Sequence, residues 1–324
     1  MGIDLNALAA QLASQLAAPQ AGRDPATPRD GMAVEEHAPP PRGVVYVEGE
    51  ARLGDVVDHT LLRPDATLAD VERLCGEALE HRLAAVCVNP VWVADAAHLL
   101  RGSAVQLCTV VGFPFGASHA DIKAAEATLA VRQGAQELDV VVALGALRAA
   151  RWGDVERDVA AVVRAAGGAL VKVVLEAALL APMELVTACL VARDAGAHYV
   201  KTSTGFHAAG GATVETVALM RLAVGDTMGV KASGGVRDGA TALAMLAAGA
   251  TRVGTSAGAA IAELRGPGPR RLRALLARDR RAGTPALGVA TVPAAGAPRP
   301  GEPSPGAAGQ GSTPPRGLPP SPAY

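Results

Sequence analysis

Short apolar runs alternate with amphipathic stretches along most of the chain. Eight such runs begin near residues 56, 84, 105, 136, 170, 198, 228 and 251, and their length is typical of buried strands. A segment with apolar residues at helical spacing follows each run, as in TLADVERLCGEALEHR. Thr, Ser or Asp often precedes these segments, and Gly-Ala closes several of them, which indicates helix boundaries. The pattern therefore predicts a repeating strand–helix unit.

Eight such units favour a parallel sheet, because nearly continuous apolar strands need helices to cover them. The units span roughly 230 residues, close to the ~250 of a typical closed (β/α)8 barrel. An open, doubly wound sheet is the competing architecture. Against it, the chain has no G-x-G-x-x-G after its first predicted strand and no P-loop. We therefore predict an α/β fold, a (β/α)8 TIM barrel that forms a single domain.

The composition changes at both ends of this pattern. Residues 1–18 place leucines on one helical stripe, which predicts an amphipathic helix. Residues 19–49 are rich in proline and charge and predict a disordered linker, and residues 283–324 predict a disordered tail of Pro, Gly and Ala. The barrel is assigned to residues 50–282. The tail ends at Tyr324, whose phenol could move a proton, although an inert terminus is the simpler interpretation.

Charge and cysteine content exclude several classes of protein. The 30 basic and 31 acidic residues nearly balance, so neither a nucleic acid nor a membrane is indicated as a partner. Four cysteines lie among apolar residues without C-x-x-C spacing, which is typical of a cytoplasmic protein. The seven histidines show no H-E-x-x-H spacing, so we expect no metal site. The first residues carry Asp4 and no basic group, which argues against a secretory signal.

Lysine is the rarest of the charged residues and the most informative. It occurs only four times, at positions 123, 172, 201 and 231, and the other 26 of the 30 basic residues are arginine. Lys172, Lys201 and Lys231 each follow a valine inside a predicted strand. A desolvated lysine can lose its proton and act as a nucleophile, whereas arginine stays charged. These three lysines are therefore candidates for covalent chemistry.

Asp58 and Asp139 also lie in predicted strands, and the active site of such a barrel forms at the C-terminal ends of its strands. Each charged residue taken singly is more simply explained as part of a core ion pair. Three lysines in one apolar pocket, however, would repel one another and lower the pKa of the nucleophile. A neutral amine can form an imine with an aldehyde, and this imine draws electrons as a carbon–carbon bond breaks. The pattern predicts a metal-free aldolase.

Glycine-rich turns follow the last three predicted strands. KTSTGF, KASGGVRDGA and GTSAG each lead from a strand towards a helix, and the backbone N–H groups of such turns bind phosphate. Ordinary turns between strand and helix explain each motif taken alone. Together the motifs predict a phosphate site after the last strands of the barrel.

The motifs DHTLLRPDAT, CVNP, CTVVGFPFG, ELDVVVALGAL, VKVVLEA, GAHYVKTSTGF, VKASGGVRD and RVGTSAG resemble, in order and spacing, those of the deoxyribose-phosphate aldolases. The resemblance covers residues 50–262. It implies a (β/α)8 barrel that reversibly cleaves 2-deoxy-D-ribose 5-phosphate to acetaldehyde and D-glyceraldehyde 3-phosphate, with no cofactor. The implied partners are a small-molecule sugar phosphate and acetaldehyde.

The resemblance also implies roles for individual residues. Lys201 matches the lysine that forms the Schiff base, Lys231 the second lysine that lowers the pKa of the nucleophile, and Asp139 the aspartate of a proton relay. The remaining matched positions are Asp58, Thr60 and Lys172 for substrate binding, and Gly205, Gly234, Gly235, Gly254 and Ser256 for phosphate binding. Ala257 stands where the family commonly has serine, so we expect one hydroxyl fewer at the phosphate.

Two other functions stay open on the sequence alone. A phosphate-binding barrel isomerase would need an acid, a base and a phosphate site but no imine. A non-catalytic sugar-phosphate sensor would need only the binding site. We expect the assembly to be a monomer or a homo-oligomer, with a dimer as the oligomer to test.

Overall fold

The computed structural model describes residues 43–272 together with residues 274 and 275. The predicted helix at residues 1–18, the tail at residues 283–324 and its terminal Tyr324 lie outside the described residues, as do residues 19–42 of the predicted linker. The described part of that linker segment begins at Gly43. Its Val44 is buried in a small apolar cluster with Leu170 and Tyr199.

Ten strands are described: β1 (Glu50–Arg52), β2 (Val57–Leu61), β3 (Ala85–Val88), β4 (Gln106–Val111), β5 (Glu137–Val141), β6 (Leu170–Val174), β7 (Tyr199–Lys201), β8 (Gly229–Ser233), β9 (Arg252–Thr255) and β10 (Arg265–Pro267). Strands β2 to β9 form a closed barrel in chain order, with β9 pairing back to β2 in parallel. Strands β1 and β10 form a separate antiparallel pair. The observed barrel strands begin within one residue of the predicted positions, which confirms the (β/α)8 fold.

The α-helices of the described residues are α1 (Leu68–Glu80), α2 (Val93–Leu99), α3 (Ala120–Arg132), α4 (Leu144–Arg148), α5 (Trp152–Ala165), α6 (Pro182–Asp194), α7 (Val214–Val224), α8 (Gly239–Ala247) and α9 (Gly258–Ile261). Among these helices, none is long and apolar enough to cross a membrane.

Helix boundaries follow the capping residues of the sequence. Thr67 begins α1 with a capping box, in which its hydroxyl accepts from the Asp70 N–H and the Asp70 carboxylate accepts from the Thr67 N–H. Asp238 caps α8 through the Thr241 N–H at 2.8 Å. The predicted Gly-Ala closures at residues 134, 196 and 249 all have a positive φ at the glycine, which side chains disfavour. These residues therefore fix where each helix gives way to the next strand.

The two faces of the barrel strands differ in chemistry. Each barrel strand buries at least one apolar residue in the main hydrophobic core that the helices cover, among them Val57, Val86, Leu107, Leu138, Val171, Val200, Val230 and Val253. The neighbouring positions, which face the barrel interior, include four charged residues with no exposed surface: Asp58, Asp139, Lys172 and Lys231. Burial between strands and helices therefore holds the barrel closed, and the interior is free to carry a polar network.

The fourth lysine of the chain lies outside this interior. Lys123, on α3, is fully buried and donates to Asp158 on α5 and to the carbonyl of Val141, both at 2.8 Å. Asp158 also accepts from the Ala143 N–H at 2.9 Å. Each buried polar group thus has a partner, as burial requires. This pair ties two helices to the end of β5.

We expect Gly229→Ala to lower the free energy of unfolding by ~1–3 kcal/mol, because the added methyl group would overlap the buried ring of Tyr199. Gly76→Ala is the matched control, since Gly76 is exposed within α1 and its new methyl group would meet no atom within 4 Å. That change should raise the free energy of unfolding by ~0.5–1 kcal/mol. Urea unfolding measures both. Equal effects of the two changes would contradict the packing described for the barrel interior.

Candidate active site

Lys201 is the last residue of β7 and only 3% of its surface is exposed. Its Nζ donates to Oδ2 of Asp139, on β5, at 2.7 Å. The strand register places Lys201 beside Lys231 of β8. Because side chains of a strand alternate between its faces, these two paired positions point to the same side of the sheet. The fold thus brings the predicted nucleophile and the second lysine together.

Asp139 lies at the centre of the lysine cluster. Its Oδ2 accepts a second hydrogen bond from Lys231 Nζ, also at 2.7 Å. Its Oδ1 accepts from Lys172 Nζ at 2.8 Å and from the Cys108 thiol at 3.2 Å. One carboxylate therefore binds all three strand lysines. The two nitrogens that share Oδ2 cannot be farther apart than two hydrogen-bond lengths.

Two further carboxylates and a guanidinium complete the network. Asp58 accepts from Lys231 and, at 2.7 Å, from Arg252 Nη1. Glu137 Oε2 lies 2.7 Å from Lys172 Nζ, and Glu137 Oε1 accepts from Arg252 Nη2 at 3.1 Å. Buried charges of this kind persist only when they are paired and hydrogen-bonded. The barrel interior thus holds one continuous ion network.

The carboxylates of the network stay ionised against the cost of burial. Burial alone would raise the pKa of Asp139, but the ammonium groups of Lys172, Lys201 and Lys231 hold the pKa of that carboxyl well below its usual value. Burial likewise opposes the charge of Asp58. Lys231 and the neighbouring guanidinium nevertheless keep the pKa of Asp58 below its usual value. Both acids therefore remain anionic acceptors at neutral pH.

The same pairing acts on two of the lysines. Burial disfavours the charge of Lys172 and Lys231, yet the carboxylates around them, Asp139 first, raise the pKa of each ammonium above its usual value. We expected crowding to lower the pKa of the nucleophile. At the other two lysines, Lys172 and Lys231, the pKa is raised instead, because carboxylates lie between the cations. Lys201 differs from both: within the described residues its ammonium has Asp139 as its one carboxylate partner.

A cavity of about 240 Å³ opens above the network. Its walls include Lys201, Thr60 and every predicted phosphate-binding residue: Gly205, Gly234, Gly235, Gly254 and Ser256. Arg63 and Arg237 also line it. Asp58 and Lys172, which we expected to bind substrate, are fully buried beneath the cavity and contact the ion network instead.

The turns around this cavity are held together by buried hydroxyl groups. Thr202 and Ser203 each donate to the carbonyl of Ser233, at 2.8 and 2.6 Å, and Ser233 donates back to the carbonyl of Ser203 at 2.6 Å. These bonds join the turn after β7 to the turn after β8. Gly205 and Gly234 adopt φ values of 84° and 83°, which favour glycine. The backbone beside Lys201 is therefore fixed before any ligand binds.

Three buried residues of the site were missed in the sequence. Glu137 lies two residues before Asp139, so the alternation of a strand places both on one face and could have revealed it. Arg252 is one of 26 arginines, but it opens the RVGTSAG motif at the start of a predicted strand, and that position could have revealed it. Glu176 follows β6 with a left-handed φ of 48°, and its carboxylate accepts from the Thr204 N–H. Glu176 thus supports the turn that follows Lys201.

Ala257 lies at the edge of the cavity region, after β9. Its N–H donates to Thr255 Oγ1 at 3.0 Å. Alanine has no side-chain hydroxyl, and its backbone N–H is already hydrogen-bonded within its own turn. An anion at this corner would have to take its hydrogen bonds from neighbouring groups.

Two trios of residues in the described part of the chain are close enough together to hold a metal ion. One combines Cys87, Cys108 and Asp139, and the other combines Asp58, Cys108 and Glu137. The carboxylates of both trios already bind lysine or arginine side chains. A metal ion would therefore have to displace a cation of the network.

We expect the free energy of unfolding to fall as the pH drops below about 4, the usual carboxyl range. Because the folded pKa values of Asp58 and Asp139 are lowered, their stabilisation is present above the unfolded pKa and is lost as pH falls towards the folded pKa. Asp58→Asn should reduce this dependence by up to ~1.4 kcal/mol for each pH unit below the unfolded pKa, which corresponds to one proton. Urea unfolding at pH 6 and at several pH values below about 4 measures the dependence, and identical losses in both proteins would contradict the charge assignment.

Comparison with known proteins places this site in a family. The model of the DeoC/LacD family aldolases matches residues 55–265. A deoxyribose-phosphate aldolase of Brevibacillus brevis is 57% identical over 205 residues, which are 63% of this chain and 92% of that protein. A deoxyribose-phosphate aldolase of a Geobacillus species is 55% identical over 66% of this chain and 96% of its own length.

Solved structures agree with these relatives. The deoxyribose phosphate aldolase from Aeropyrum pernix, described as having a unique tetrameric structure, is 39% identical with a TM-score of 0.61, over 65% of this chain and 89% of that one. An aldolase named QR15 is 38% identical with a TM-score of 0.63, over 65% of this chain and 94% of that one. With the family model covering most of the barrel, the chain belongs to the DeoC/LacD family of aldolases.

Proposed function

We propose that the chain is a deoxyribose-phosphate aldolase that cleaves 2-deoxy-D-ribose 5-phosphate to acetaldehyde and D-glyceraldehyde 3-phosphate through a Schiff base on Lys201. The observation that carries the proposal is the position of Lys201. Its amine lies in the wall of the substrate cavity and shares one oxygen of Asp139 with a second lysine.

Lys201 is the best placed of the three lysines for nucleophilic attack. It lines the cavity, whereas Lys172 and Lys231 are fully buried below it. It also has fewer carboxylate partners than either of them. Loss of its proton therefore leaves Asp139 still paired with two ammonium groups. Formation of the neutral amine that attacks a carbonyl therefore removes the fewest ion pairs at Lys201.

The reaction then follows from the imine. Nζ of Lys201 adds to the C1 aldehyde, and water leaves to give a protonated imine. A base takes the proton of the C3 hydroxyl, the C2–C3 bond breaks, and its electrons move into the imine to form an enamine. D-glyceraldehyde 3-phosphate departs with C3 as its aldehyde. Protonation at C2 and hydrolysis of the imine release acetaldehyde and restore the lysine.

Asp139 and Lys231 are proposed to move the protons of these steps, through water. Oδ2 of Asp139 lies at hydrogen-bond distance from both amines, so a proton can pass between them through one acceptor. Lys231 is protonated at rest, because Asp139 and Asp58 raise its pKa.

The phosphate group is proposed to bind at the turns after β7, β8 and β9. The left-handed Gly205, after β7, and the left-handed Gly234 and Gly235, after β8, let the backbone approach an anion closely. After β9, the Ser256 hydroxyl adds a donor. Arg237 is exposed in the cavity wall and supplies a positive charge. Asp58, Thr60 and Lys172 are proposed to support the sugar end, Thr60 directly and the other two through the ion network.

We also propose that the protein works in the cytoplasm as a homo-oligomer and binds no nucleic acid. Four free, buried cysteines in the described residues fit a reducing compartment. The relative from Aeropyrum pernix is described as tetrameric. Exposed apolar side chains of Phe115, Ile122 and Leu129 give this chain a surface that a second copy could cover. The isomerase and sensor alternatives are not favoured, because the family is one of aldolases.

We expect Lys201→Ala and Lys231→Leu each to lower acetaldehyde release from 2-deoxyribose 5-phosphate by about 10³-fold or more, since one removes the nucleophile and the other a proton carrier. The matched control is Lys123→Met combined with Asp158→Asn, which removes a buried lysine and its partner outside the site. It should retain activity within about twofold, since removing both partners leaves no unpaired buried charge. Circular dichroism verifies the fold of each variant, and an active Lys201→Ala enzyme would refute the proposal.

For the phosphate site, we expect Arg237→Gln to raise KM for the phosphorylated sugar about tenfold, a loss on the order of one charged hydrogen bond. KM for unphosphorylated 2-deoxyribose should hardly change. Arg193→Gln serves as the control, because Arg193 is exposed near the end of α6 and pairs with Asp194. If Arg237→Gln affected both sugars equally, the assignment of the phosphate site would be wrong.

A further inference from the structure

The buried ion network carries more positive than negative groups. In the described part of the chain it contains four cations, Lys172, Lys201, Lys231 and Arg252, and three carboxylates, Asp58, Glu137 and Asp139. Every member is at least nine-tenths buried. With all seven groups ionised, the ion network itself would carry one uncompensated positive charge. The carboxylate of Glu176, which is buried after β6 and accepts from the Thr204 N–H, forms no ion pair with this network among the described residues.

An uncompensated charge among groups that are nine-tenths buried is unfavourable, because these groups have lost most of their contact with water. Loss of one proton from one lysine removes the excess. Lys201, with Asp139 as its one carboxylate partner among the described residues, gives up the least stabilisation. The network with a neutral Lys201 has as many carboxylates as cations. That balanced state is also the state in which the amine can attack an aldehyde.

We propose that Glu137 and Arg252 are positioning residues whose opposite charges set how readily Lys201 releases its proton. The inference rests on the proposed function, because it takes Lys201 as the nucleophile. Removal of the Glu137 charge leaves the interior more positive and favours proton release. Removal of the Arg252 charge balances the network with Lys201 still protonated and so opposes proton release.

Both residues lie far from the substrate side of the barrel. Glu137 and Arg252 are the first residues of β5 and β9, and both line a cavity of about 430 Å³ in which neither Lys201 nor the phosphate-binding turns take part. Their influence reaches Lys201 through the network. Arg252 acts through Asp58, Lys231 and Asp139, and Glu137 acts through Lys172 and Asp139. Neither residue needs to touch the substrate.

Other titratable groups also face this region. Cys87 and Cys108 lie on β3 and β4, Tyr199 on β7, and Arg63 and Arg237 line the cavity. Burial raises the pKa of the Cys108 and Tyr199 side chains, and the neighbouring Cys108 side chain lowers the pKa of the Cys87 thiol. These groups are the same in the wild type and in the Glu137 and Arg252 variants, so a difference between those proteins reports on the substituted charge.

The test measures kcat/KM for acetaldehyde release against pH in Glu137→Gln, Arg252→Gln and the combined variant. The pH of half-maximal activity on the acidic side should move down by ~1 unit in Glu137→Gln and up by ~1 unit in Arg252→Gln, for one charge about 10 Å away at an effective dielectric constant of about 20. The combined variant loses one charge of each sign and should return close to the wild type. A purely structural role would not produce shifts of opposite sign.

Two additional variants secure this test. Lys123→Met with Asp158→Asn removes a buried ion pair elsewhere and should leave the profile unmoved. Cys87→Asp adds a fourth carboxylate beside the network and should move the profile upwards, as Arg252→Gln does, which keeps the test valid if Arg252→Gln fails to fold. Shifts of the same sign in Glu137→Gln and Arg252→Gln, or no shift in folded variants, would overturn the inference. If wild type released no acetaldehyde, the proposed function itself would fail.

Discussion

One carboxylate oxygen shared by two lysines is the interaction on which the rest of the site depends. Oδ2 of Asp139 accepts from Lys201 and Lys231 at the same distance, 2.7 Å. These two hydrogen bonds hold the nucleophile next to a second, charged lysine. Without a carboxylate between them, two lysines could not lie this close together in a buried space. Asp139 also gives the proton of Lys201 an acceptor. Without Asp139 the lysines would repel one another and the cavity floor would lose its order.

The (β/α)8 fold tolerates such a charged interior because the two faces of its strands differ in function. The outer face stabilises the barrel, and the inner face carries the charged groups. Outward residues such as Val171, Val200 and Val230 pack against the helices and supply the apolar burial that closes the barrel. The inward residues need not be apolar. They are free to form ion pairs, provided that every charge finds a partner within the ring of strands. Fold and site therefore depend on the same alternation along each strand.

The sequence predicted the strands, the barrel, the three lysines and Asp139 because these leave local signals, namely period, capping and a rare residue type. It did not predict how the charges compensate one another. Asp58 and Lys231 are 173 residues apart in the sequence. They meet only because β9 pairs with β2 and closes the barrel. Arg252 joins them through the same closure. The expectation of mutually repelling lysines in an apolar pocket was wrong for this reason, since no local pattern reveals a partner across the barrel.

In the proposed reaction, Lys201 bonds covalently to the two-carbon product of the cleavage. The most direct test is to reduce the enzyme with borohydride during turnover of 2-deoxyribose 5-phosphate. Peptide mapping then shows which lysine is modified. The chain has only four lysines, so each can be resolved in the digest. The account predicts an ethyl group on Lys201 and none on Lys123, Lys172 or Lys231. An unmodified Lys201 in an enzyme that still releases acetaldehyde, or a label on another lysine, would contradict it.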